Sequence, residues 1–372
     1  MIEYVEIRES NAAVIGIIDI AKSIIWRSVY FGVGDFEIYA PATLDIVDML
    51  KVGRYVTRPD NTEVGIIESI SISTNEQDGT MIIANGRFAK SILDRRLIYN
   101  LSGKSNKATI LRGNVEVKAR ELVQNNAISC AFDSKRNIPI LELGELSNIP
   151  LRIVNARGYA TQKQVSYQNL LTYSDGLLEE YGLGAACILN GAKLQYVVYQ
   201  RADRSKDNAD GNVPIIFSQE FDNLTASEYA YDSTPEKNAA LIGGEGEGVN
   251  RFCSLIETAA TGLQRRETFI DASSISQTYI DENDVEHLYT DEEYKEMLDA
   301  KGTQDIAPLV AVESFSGTID ASNGNYVYGR DFALGDIVTV QDNNIGVYAN
   351  VRIREVTEVQ DENGYTVELN YQ

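Results

Sequence analysis

The stretch Leu50-Lys-Val-Gly53-Arg-Tyr-Val56-Thr57-Arg-Pro-Asp60-Asn61 recurs in altered form as Phe332-Ala-Leu-Gly335-Asp-Ile-Val338-Thr339-Val-Gln-Asp342-Asn343. Both copies place glycine, Val-Thr and Asp-Asn at the same spacing, and both continue into a β run, an acidic turn and a final strand. Glycine permits the bend that leads into a strand, and Val-Thr suits a pleated, half-buried surface. The repeat predicts two similar β units near the chain ends. Chance similarity between two short hairpins is the alternative.

The sequence around the two copies predicts an α+β fold in which two small β-barrel-like domains flank an α/β middle. Residues 1–105 form the first barrel-like domain, and residues 106–305 form an α/β region of two interleaved subdomains. Residues 306–372 form the second barrel-like domain, which repeats the first. Three copies of such a chain would present six equivalent barrels, which suits a symmetric assembly.

Local patterns predict the elements inside these regions. Hydrophobic alternation predicts strands at 2–8, 13–19, 23–30 and 35–40, and at 310–319, 337–340, 346–356 and 365–371. Helical spacing predicts helices at 41–50 (with Pro41 in its first turn), 88–97, 115–127, 166–181 and onward from Phe252. A hairpin spans 185–201, with its turn at Asn190-Gly191. Thr290-Asp-Glu-Glu293 is a capping box that opens a helix to about Ala300.

The net charge disfavours two classes of partner. The 372 residues carry 55 Asp and Glu against 33 Lys and Arg, a net charge of −22. Because nucleic acids and anionic membranes are bound through Lys and Arg, such a surface disfavours both as partners. Residues 87–120 nevertheless hold nine basic and two acidic side chains, and residues 271–300 hold ten acidic and one basic. We expect these two stretches to meet between neighbouring subunits, so that high salt weakens assembly.

Metal, disulfide and catalytic sites find little support. The three cysteines, Cys130, Cys187 and Cys253, form no C-x-x-C pair, and we expect each to be buried. His287 is the only histidine, and its polar surroundings indicate a surface position. Gly243–Gly248 lacks a phosphate-loop pattern, and the aspartates at 203, 207 and 210 do not match a calcium loop. We therefore predict no catalytic residue, no cofactor and no metal.

Acidic pairs leave an enzymatic alternative open. Glu179 and Glu180, or Asp291 to Glu293, could serve a glycan hydrolase, which needs only two carboxylates at a set distance. A solvated helix face is the simpler interpretation. The N-terminus lacks the basic start and apolar run of a signal peptide, and the apolar stretch 12–25 is too short to cross a bilayer. We expect no membrane insertion, and folding in the cytosol.

A set of ordered motifs resembles a known family. The motifs are Trp26-Arg27, Tyr30-Phe-Gly-Val-Gly34-Asp35-Phe36-Glu37-Ile-Tyr-Ala-Pro41, Val64-Gly65-Ile66-Ile67-Glu68, Leu93-Asp94-Arg95-Arg96, Asn223-Leu224, Gly262-Leu-Gln-Arg265-Arg266-Glu267 with Asp271, and Phe332-Ala-Leu-Gly335-Asp336-Ile-Val338. Their order along the chain resembles the baseplate-hub, or tail-associated, proteins of long-tailed bacteriophages and phage-tail-like particles.

The resemblance implies a structural protein of the virion tail that is not an enzyme and is assembled in the host cytoplasm. It implies a homotrimeric ring that joins a hexameric tail tube to a threefold tip or spike. Partners would be tail tube and distal tail proteins, the tape-measure protein and a spike or tip protein. DNA would pass through the ring without specific binding. The second barrel ends at Gln372, so we expect any lytic or spike module on another chain.

Candidate interface residues come from these motifs: Arg95, Arg96, Arg265, Arg266, Glu267, Asp271, Gly335 and Asp336. Local ion pairing within the chain is the alternative for residues 265–271. Trp26, the only tryptophan, is expected in the core. A glycan hydrolase of the tail tip and a receptor-binding module are the two rival functions.

Overall fold

The computed structural model describes residues 1–76, 79–102, 105–106, 109–154, 160, 162–221, 223, 226–280, 285–319, 326–343 and 346–371. Over these residues the chain is mostly β with some helices, an α+β fold. It divides into two compact units. Unit 1 comprises Met1–Ile153, Ala160–Glu228 and Phe315–Gln372, and unit 2 comprises Val154–Tyr159 and Tyr229–Ser314.

The strands of the described residues are, in chain order, β1 (Val5–Arg8), β2 (Val14–Ile18), β3 (Ser23–Val29), β4 (Asp35–Pro41), β5 (Tyr55–Thr57), β6 (Val64–Ile66), β7 (Ser69–Asn75), β8 (Gly79–Arg87), β9 (Leu101–Ser102), β10 (Ser105–Asn106), β11 (Thr109–Arg112), β12 (Leu141–Leu143), β13 (Gln162–Val165), β14 (Gly184–Asn190), β15 (Lys193–Tyr199), β16 (Ile216–Ser218), β17 (Ala226–Asp232), β18 (Ala239–Gly243), β19 (Cys253–Ile256), β20 (Glu267–Asp271), β21 (Thr278–Ile280), β22 (Glu286–Leu288), β23 (Val312–Ile319), β24 (Ile337–Asp342), β25 (Val347–Asp361) and β26 (Gly364–Tyr371).

Four α-helices occur in the same part of the chain: α1 (Leu44–Met49), α2 (Val115–Val123), α3 (Leu170–Glu179) and α4 (Asp291–Ile306). Shorter helical turns of the 3-10 type are Ala89–Arg95, Ser134–Arg136, Gln219–Phe221, Gly248–Asn250 and Gly262–Gln264, and Gln124–Ile128 continues α2 as a π turn. None of the described helices combines the length and apolar character that crossing a bilayer requires.

The longest sheet, most of whose strands belong to unit 1, has the strand order β17-β23-β26-β25-β3-β4-β8-β7. A second sheet has the order β2-β1-β5-β6, and β24 joins β25 to β16. The long sheet pairs the N-terminal β3 with the C-terminal β25 over seven residue pairs, from Val29 opposite Glu355 to Ser23 opposite Asp361. The two ends of the chain therefore share one hydrogen-bonded sheet.

Trp26 is a residue of β3, and its side chain lies in the core on the inner face of β3 and β4. Its ring lies 4.8 Å from that of Phe88 and 5.9 Å from that of Phe36, centroid to centroid, and all three are buried. Burying side chains of this size contributes about 2–3 kcal/mol each. The expectation that Trp26 belongs to the core is confirmed.

A separate core forms around α2 and α3, which pack against the β14–β15 hairpin. Each helix begins at an asparagine whose side chain accepts a backbone N–H: Asn114 from Val117 at 2.9 Å and Asn169 from Thr172 at 3.1 Å. Such caps satisfy donors that the first helical turn leaves unpaired. The predicted helix at 115–127 is confirmed. The one predicted at 166–181 begins later, since β13 extends to Val165 and Tyr167 has a positive φ of 61°.

Unit 2 contains the sheet β19-β18-β20, the two-stranded sheet β21-β22 and α4, with Ile242, Ile270, Tyr294 and Leu298 in its core. The predicted capping box is confirmed: Thr290 Oγ1 accepts from Glu293 N at 3.2 Å, and Glu293 accepts from Thr290 N at 2.9 Å. α4 runs beyond Ala300 to Ile306.

One helix prediction is wrong, and the helix predicted at 41–50 is confirmed as α1 except at its start. Residues 253–256 after Phe252 form β19, because Ser254 and Ile256 alternate inward with the exposed Cys253 and Leu255. Pro41 ends β4 and does not lie in the first turn of α1, whose cap is Thr43. The residues at 88–97 are helical, but as a 3-10 turn.

The predicted hairpin at 185–201 is confirmed, with Asn190 paired to Lys193 across Gly191. The sequence also predicts turns at Gln77–Thr80 and Ala321–Asn325. Residues 77–78 and 321–325, and residues 281–284 before His287, lie outside the described residues. The two-barrel layout and the domain boundaries stay predictions, since the described strands form open sheets.

Candidate functional site

The two copies of the repeated motif begin with the same backbone turn. Gly53 has a φ of 89° and Gly335 a φ of 91°, a region that favours glycine. Gly53 N donates to Ile67 O at 2.8 Å, and Gly335 N donates to Ile353 O at 2.9 Å. The return bonds match as well, since Ile67 N donates to Arg54 O and Ile353 N to Asp336 O, each at 2.9 Å. The glycines of the sequence motif therefore have the same structural role.

The strands after each turn have the same pairing register. In β5 and β6 the pairs are Tyr55–Ile66, Val56–Gly65 and Thr57–Val64; in β24 and β25 they are Ile337–Arg352, Val338–Val351 and Thr339–Asn350. Each member of the second set occupies the position of its counterpart in the first. The Val-Thr dipeptides thus lie at equivalent places in two equivalent strand pairs.

The following hairpins also correspond pair by pair. β7 and β8 pair from Ser69 opposite Asn85 to Asn75 opposite Gly79. β25 and β26 pair from Glu355 opposite Asn370 to Asp361 opposite Gly364. Both hairpins contain seven successive pairs and end on a glycine with positive φ. In the first copy the chain leaves β6 at Ile66 and enters β7 at Ser69. In the second copy the equivalent residues belong to one strand, β25, whose pairing register shifts between Ile353 and Glu355.

The long sheet therefore contains one four-stranded block twice. Read from one edge, its order is β7-β8-β4-β3 and then β25-β26-β23-β17. β25 corresponds to β7 and β26 to β8. β23 corresponds to β4, because Phe315 pairs with Tyr371 as Phe36 pairs with Gly86. By position, β17 corresponds to β3. The two blocks follow each other head to tail, joined at the seam between β3 and β25.

A buried ion pair crosses this seam. Arg58, one residue beyond the Val-Thr of the first copy, donates to both carboxylate oxygens of Glu358 in β25 at 2.9 and 3.0 Å. The two side chains are only 1% and 5% exposed. Tyr365 also donates to Glu358 at 2.7 Å, and the Arg58 guanidinium lies 5.3 Å from the Trp26 ring centroid.

Arg58 also contacts Asp60 at 2.7 Å. Burial would lower the pKa of Arg58, but the hydrogen bonds to Asp60 and Glu358 outweigh burial and raise that pKa. The charge therefore persists at any ordinary pH. Sequence reasoning missed this pair, although one signal existed: Glu358 interrupts the apolar positions of a strand that otherwise alternates.

A second polar group lies beside a small pocket of unit 1. Glu63 lines this pocket together with Gly34, Phe88, Lys90 and Cys187. Burial raises the pKa of Glu63 from 4.5 to about 7, against the opposing hydrogen bond from Ser28 and the charge of Lys90. Lys90 itself is paired with Asp175 at 2.9 Å, and at Glu63 the charge of Glu358 opposes that of Arg58. The arrangement makes Glu63 a titrating group within the neutral range.

The two outer edges of the long sheet, β7 and β17, are not paired with any further strand among the described residues. All seven residues of β7 (Ser-Ile-Ser-Ile-Ser-Thr-Asn) are exposed, including Ile70 at 39% and Ile72 at 49%. Edge strands usually carry charges, proline or bulges that prevent pairing with other chains. β7 has no charge and no proline, so it is suited to accept another strand.

The predicted interface residues occupy three places. Arg95 and Arg96 lie at the end of the 3-10 turn of unit 1. Arg95 approaches Glu68 at 3.9 Å, and Arg96 donates to the Arg136 carbonyl at 2.7 Å. Gly335 forms the turn described above. Asp336 is 3% exposed, and its carboxylate accepts from Ala202 N, Arg204 and Ala333 N, so its hydrogen bonds are internal.

The other four predicted residues belong to unit 2 and form local ion pairs. Arg265 contacts Glu257 at 3.0 Å and Glu267 at 2.6 Å, and Arg266 contacts Glu236 at 3.3 Å. Asp271 pairs with Arg251 at 2.5 Å. The alternative of local pairing is therefore observed for these side chains, and their role in a subunit contact stays a prediction.

The remaining candidates have ordinary surroundings. Glu179 pairs with Arg354 at 2.5 Å and Glu180 with Lys163 at 2.8 Å, so their carboxylates serve separate ion pairs. His287 is exposed, as expected. Cys130 and Cys187 are buried, but Cys253 is exposed, so its predicted burial is wrong: it faces outward from β19. Within the described ranges, no group of three acidic, histidine or cysteine side chains is placed to hold a metal.

Comparison with known proteins identifies the family. The sequence model of the Siphovirus ReqiPepy6 Gp37-like protein matches residues 4–370, nearly the entire chain. The chain belongs to this family. No curated protein matches it. The resemblance to tail-associated phage proteins, inferred from the ordered motifs, is thereby confirmed.

Two solved structures share the fold of this Gp37-like chain. The 43 kDa tail protein of prophage MuSo2 from Shewanella oneidensis is 12% identical, with a TM-score of 0.60 over 100% of this chain and 98% of that one. The tail protein from Neisseria meningitidis is 14% identical, with a TM-score of 0.57 over 99% and 95%. The Gp37-like chain therefore has a phage tail protein fold, which is consistent with a structural role in the virion tail.

Proposed function

We propose that this chain is the hub of the distal end of a phage tail, where three copies form a ring. One observation carries the proposal: the long sheet contains the same four-stranded block twice, head to tail, with an open edge at each end. Three chains would supply six equivalent blocks. Such a ring offers near-sixfold symmetry to a hexameric tail tube and true threefold symmetry to a tip or spike.

The contact that we propose between subunits repeats the β3–β25 pairing within the chain. β3 pairs with β25 over seven residues, and β17 and β7 are the equivalents of these strands. We place β7 of one subunit against β17 of the next, a head-to-tail contact that closes after three copies. β17, like β3 and β7, is seven residues long and carries the exposed Tyr229 and Tyr231. Cross-strand pairs of aromatic and β-branched side chains stabilise such contacts.

The ring would line a channel that admits the genome. A net charge of −22 disfavours adhesion of DNA to this lining, so DNA would pass without specific binding. Tail tube and distal tail proteins would contact one side of the ring, and the tape-measure protein and a spike or tip protein the other. Assembly would take place in the host cytoplasm. No chemistry is required of the hub, so the proposed role is structural and not enzymatic.

The experiment compares two edge-strand variants by light scattering after size exclusion. We expect the native chain to have three times the mass of one 41.2 kDa subunit. Ile72→Lys places a charge in the proposed seam and should yield monomers with unchanged circular dichroism. Val14→Lys is the matched control, because Val14 is equally exposed (50% against 49%) on the edge strand β2 of a different sheet. It should remain trimeric.

Averaged electron micrographs of the native oligomer should show a closed ring with a central opening. A native chain that stays monomeric at high concentration, or a trimer that Ile72→Lys leaves intact, would contradict the proposal. Lytic activity toward bacterial cell walls that is lost on mutating Glu179 or Glu180 would support the hydrolase alternative instead.

A further inference from the structure

A chain with two equivalent blocks faces a pairing problem. Because β7 and β25 have the same length of hairpin and the same register, the backbone of β3 could pair with either strand. Pairing β3 with β7 of another copy would link chains in the wrong order. Backbone hydrogen bonds carry no sequence information, so side chains must distinguish the two seams.

At one matched pair of positions, the seam within the chain has charged side chains where the other seam has apolar ones. Glu358 is the fourth residue of its hairpin strand, counted from Glu355, and the fourth residue from Ser69 is Ile72. Arg58 follows Thr57, and the residue that follows Thr339 is Val340. The seam within the chain therefore combines Arg58 with Glu358. The equivalent positions of the other seam hold Val340 and Ile72, which are both apolar.

We propose that the Arg58–Glu358 ion pair is the specificity determinant that assigns β25, and not β7 of another copy, to β3. An exchanged seam would bring Arg58 next to Ile72, or Glu358 next to Val340. Either arrangement leaves one charge buried without its partner, which is strongly destabilising even where an intact buried pair adds little net stability. The pair acts by excluding wrong partners, in the way that a buried polar residue selects the register of a coiled coil.

The contacts of the pair support this role over simple stabilisation. The pair is bidentate, and both side chains are at most 5% exposed. The two charges come from different copies of the repeat, Arg58 from the first and Glu358 from the second. Tyr365, from the strand next to β25, supplies a third hydrogen bond to Glu358. A pair that only stabilised one block would not need to bridge two.

The test uses two versions of the full chain produced together, both with Cys253→Ser. One carries Ile25→Cys in β3 and the other Ser73→Cys in β7. Ile25 faces Val359 in the seam within the chain, and Ser73 is the counterpart of Val359 in β7. A disulfide between the chains forms only when β3 of one chain pairs with β7 of the other. With the ion pair intact we expect almost no such disulfide.

The Arg58→Val/Glu358→Ile double variant gives the inner seam the apolar residues of the outer one. It should raise the disulfide-linked fraction by about tenfold or more, the factor that corresponds to ~1.4 kcal/mol of lost discrimination. Glu358→Gln keeps the shape of the side chain and some of its hydrogen bonds, and it should give an intermediate fraction. This variant serves as the test if the double variant folds poorly. Glu355→Gln is the matched control: Glu355 lies in the same seam, is 26% exposed, and contacts Arg27 at 3.5 Å. It should change nothing.

The inference rests on the proposed ring, but the two can fail separately. A monomeric native chain refutes the ring without affecting the disulfide readout. Equal disulfide fractions in the intact and double-variant backgrounds, or an equal rise with Glu355→Gln, would overturn the assignment of specificity to Arg58 and Glu358 even in a trimer.

Discussion

Replacing Glu63 with glutamine should stabilise the protein at high pH and not at low pH. Glu63 lies beside the pocket of unit 1, where Ser28 donates a hydrogen bond to its carboxylate. Lys90, whose charge opposes the rise in the pKa of Glu63, is already paired with Asp175 at 2.9 Å. Glutamine preserves the shape and hydrogen-bonding ability of the side chain but removes the negative charge from this site.

The size of the effect follows from the pKa. Burial raises the pKa of Glu63 from 4.5 in the unfolded chain to about 7 in the folded one. Below pH 4.5 both states hold the proton, and the carboxyl group does not affect stability. Between pH 4.5 and 7 the folded state holds a proton that the unfolded state has lost, so stability falls as pH rises. Above pH 7 the full cost applies, up to about 3 kcal/mol at ~1.4 kcal/mol for each pH unit.

Urea unfolding of the native chain and of Glu63→Gln at pH 4 and pH 8 measures this difference. We expect the variant to gain up to about 3 kcal/mol at pH 8 and close to nothing at pH 4. Ser28→Ala is the companion variant: it removes the hydrogen bond that stabilises the charged form, so it should lower stability at pH 8 more than at pH 4. The same Glu63→Gln difference at both pH values would refute the reasoning.

Three further predictions concern the repeat, unit 2 and the thiols. Gly335→Ala should destabilise the chain by several kcal/mol, because a Cβ there would overlap the Tyr30 ring; Gly53→Ala, with the same φ but open space, should cost only about 1–2 kcal/mol in urea unfolding. Thr290→Ala should cost about 1 kcal/mol through loss of the α4 cap, and a cost below 0.3 kcal/mol would contradict the cap's role. A thiol reagent should modify Cys253 first in the native chain; equal labelling of all three cysteines by mass spectrometry would contradict their burial.

Local sequence signals were sufficient to predict structure where a few neighbouring residues determine the backbone conformation. The capping box at Thr290 and the Asn190-Gly191 turn depend on contacts within four residues, and both were predictable. The residues after Phe252 were mistaken for a helix because their apolar positions fit two periods equally well over a short run. Only the partner strand β18 decides that they form β19.

The sequence predicted one part of the candidate site, the repeat, and not the other, the buried ion pair. The paired glycines, Val-Thr dipeptides and acidic turns predicted a repeat, and each proved to occupy an equivalent place in the hydrogen-bond pattern. The Arg58–Glu358 pair was not predicted, since 300 residues of chain separate its members. No periodicity links two residues at that distance; they meet only because β3 pairs with β25.

The sequence by itself determined the turns, the caps, the alternating strands and the presence of a repeated β motif, because these depend on short-range geometry and on the backbone freedom of particular residues. Only the tertiary structure decided that the two four-stranded blocks belong to one sheet, in the same order and head to tail. That arrangement depends on long-range strand pairing, in which backbone groups are interchangeable and buried side chains select the partner. The open edges of β7 and β17, on which the proposed ring depends, exist only at that level.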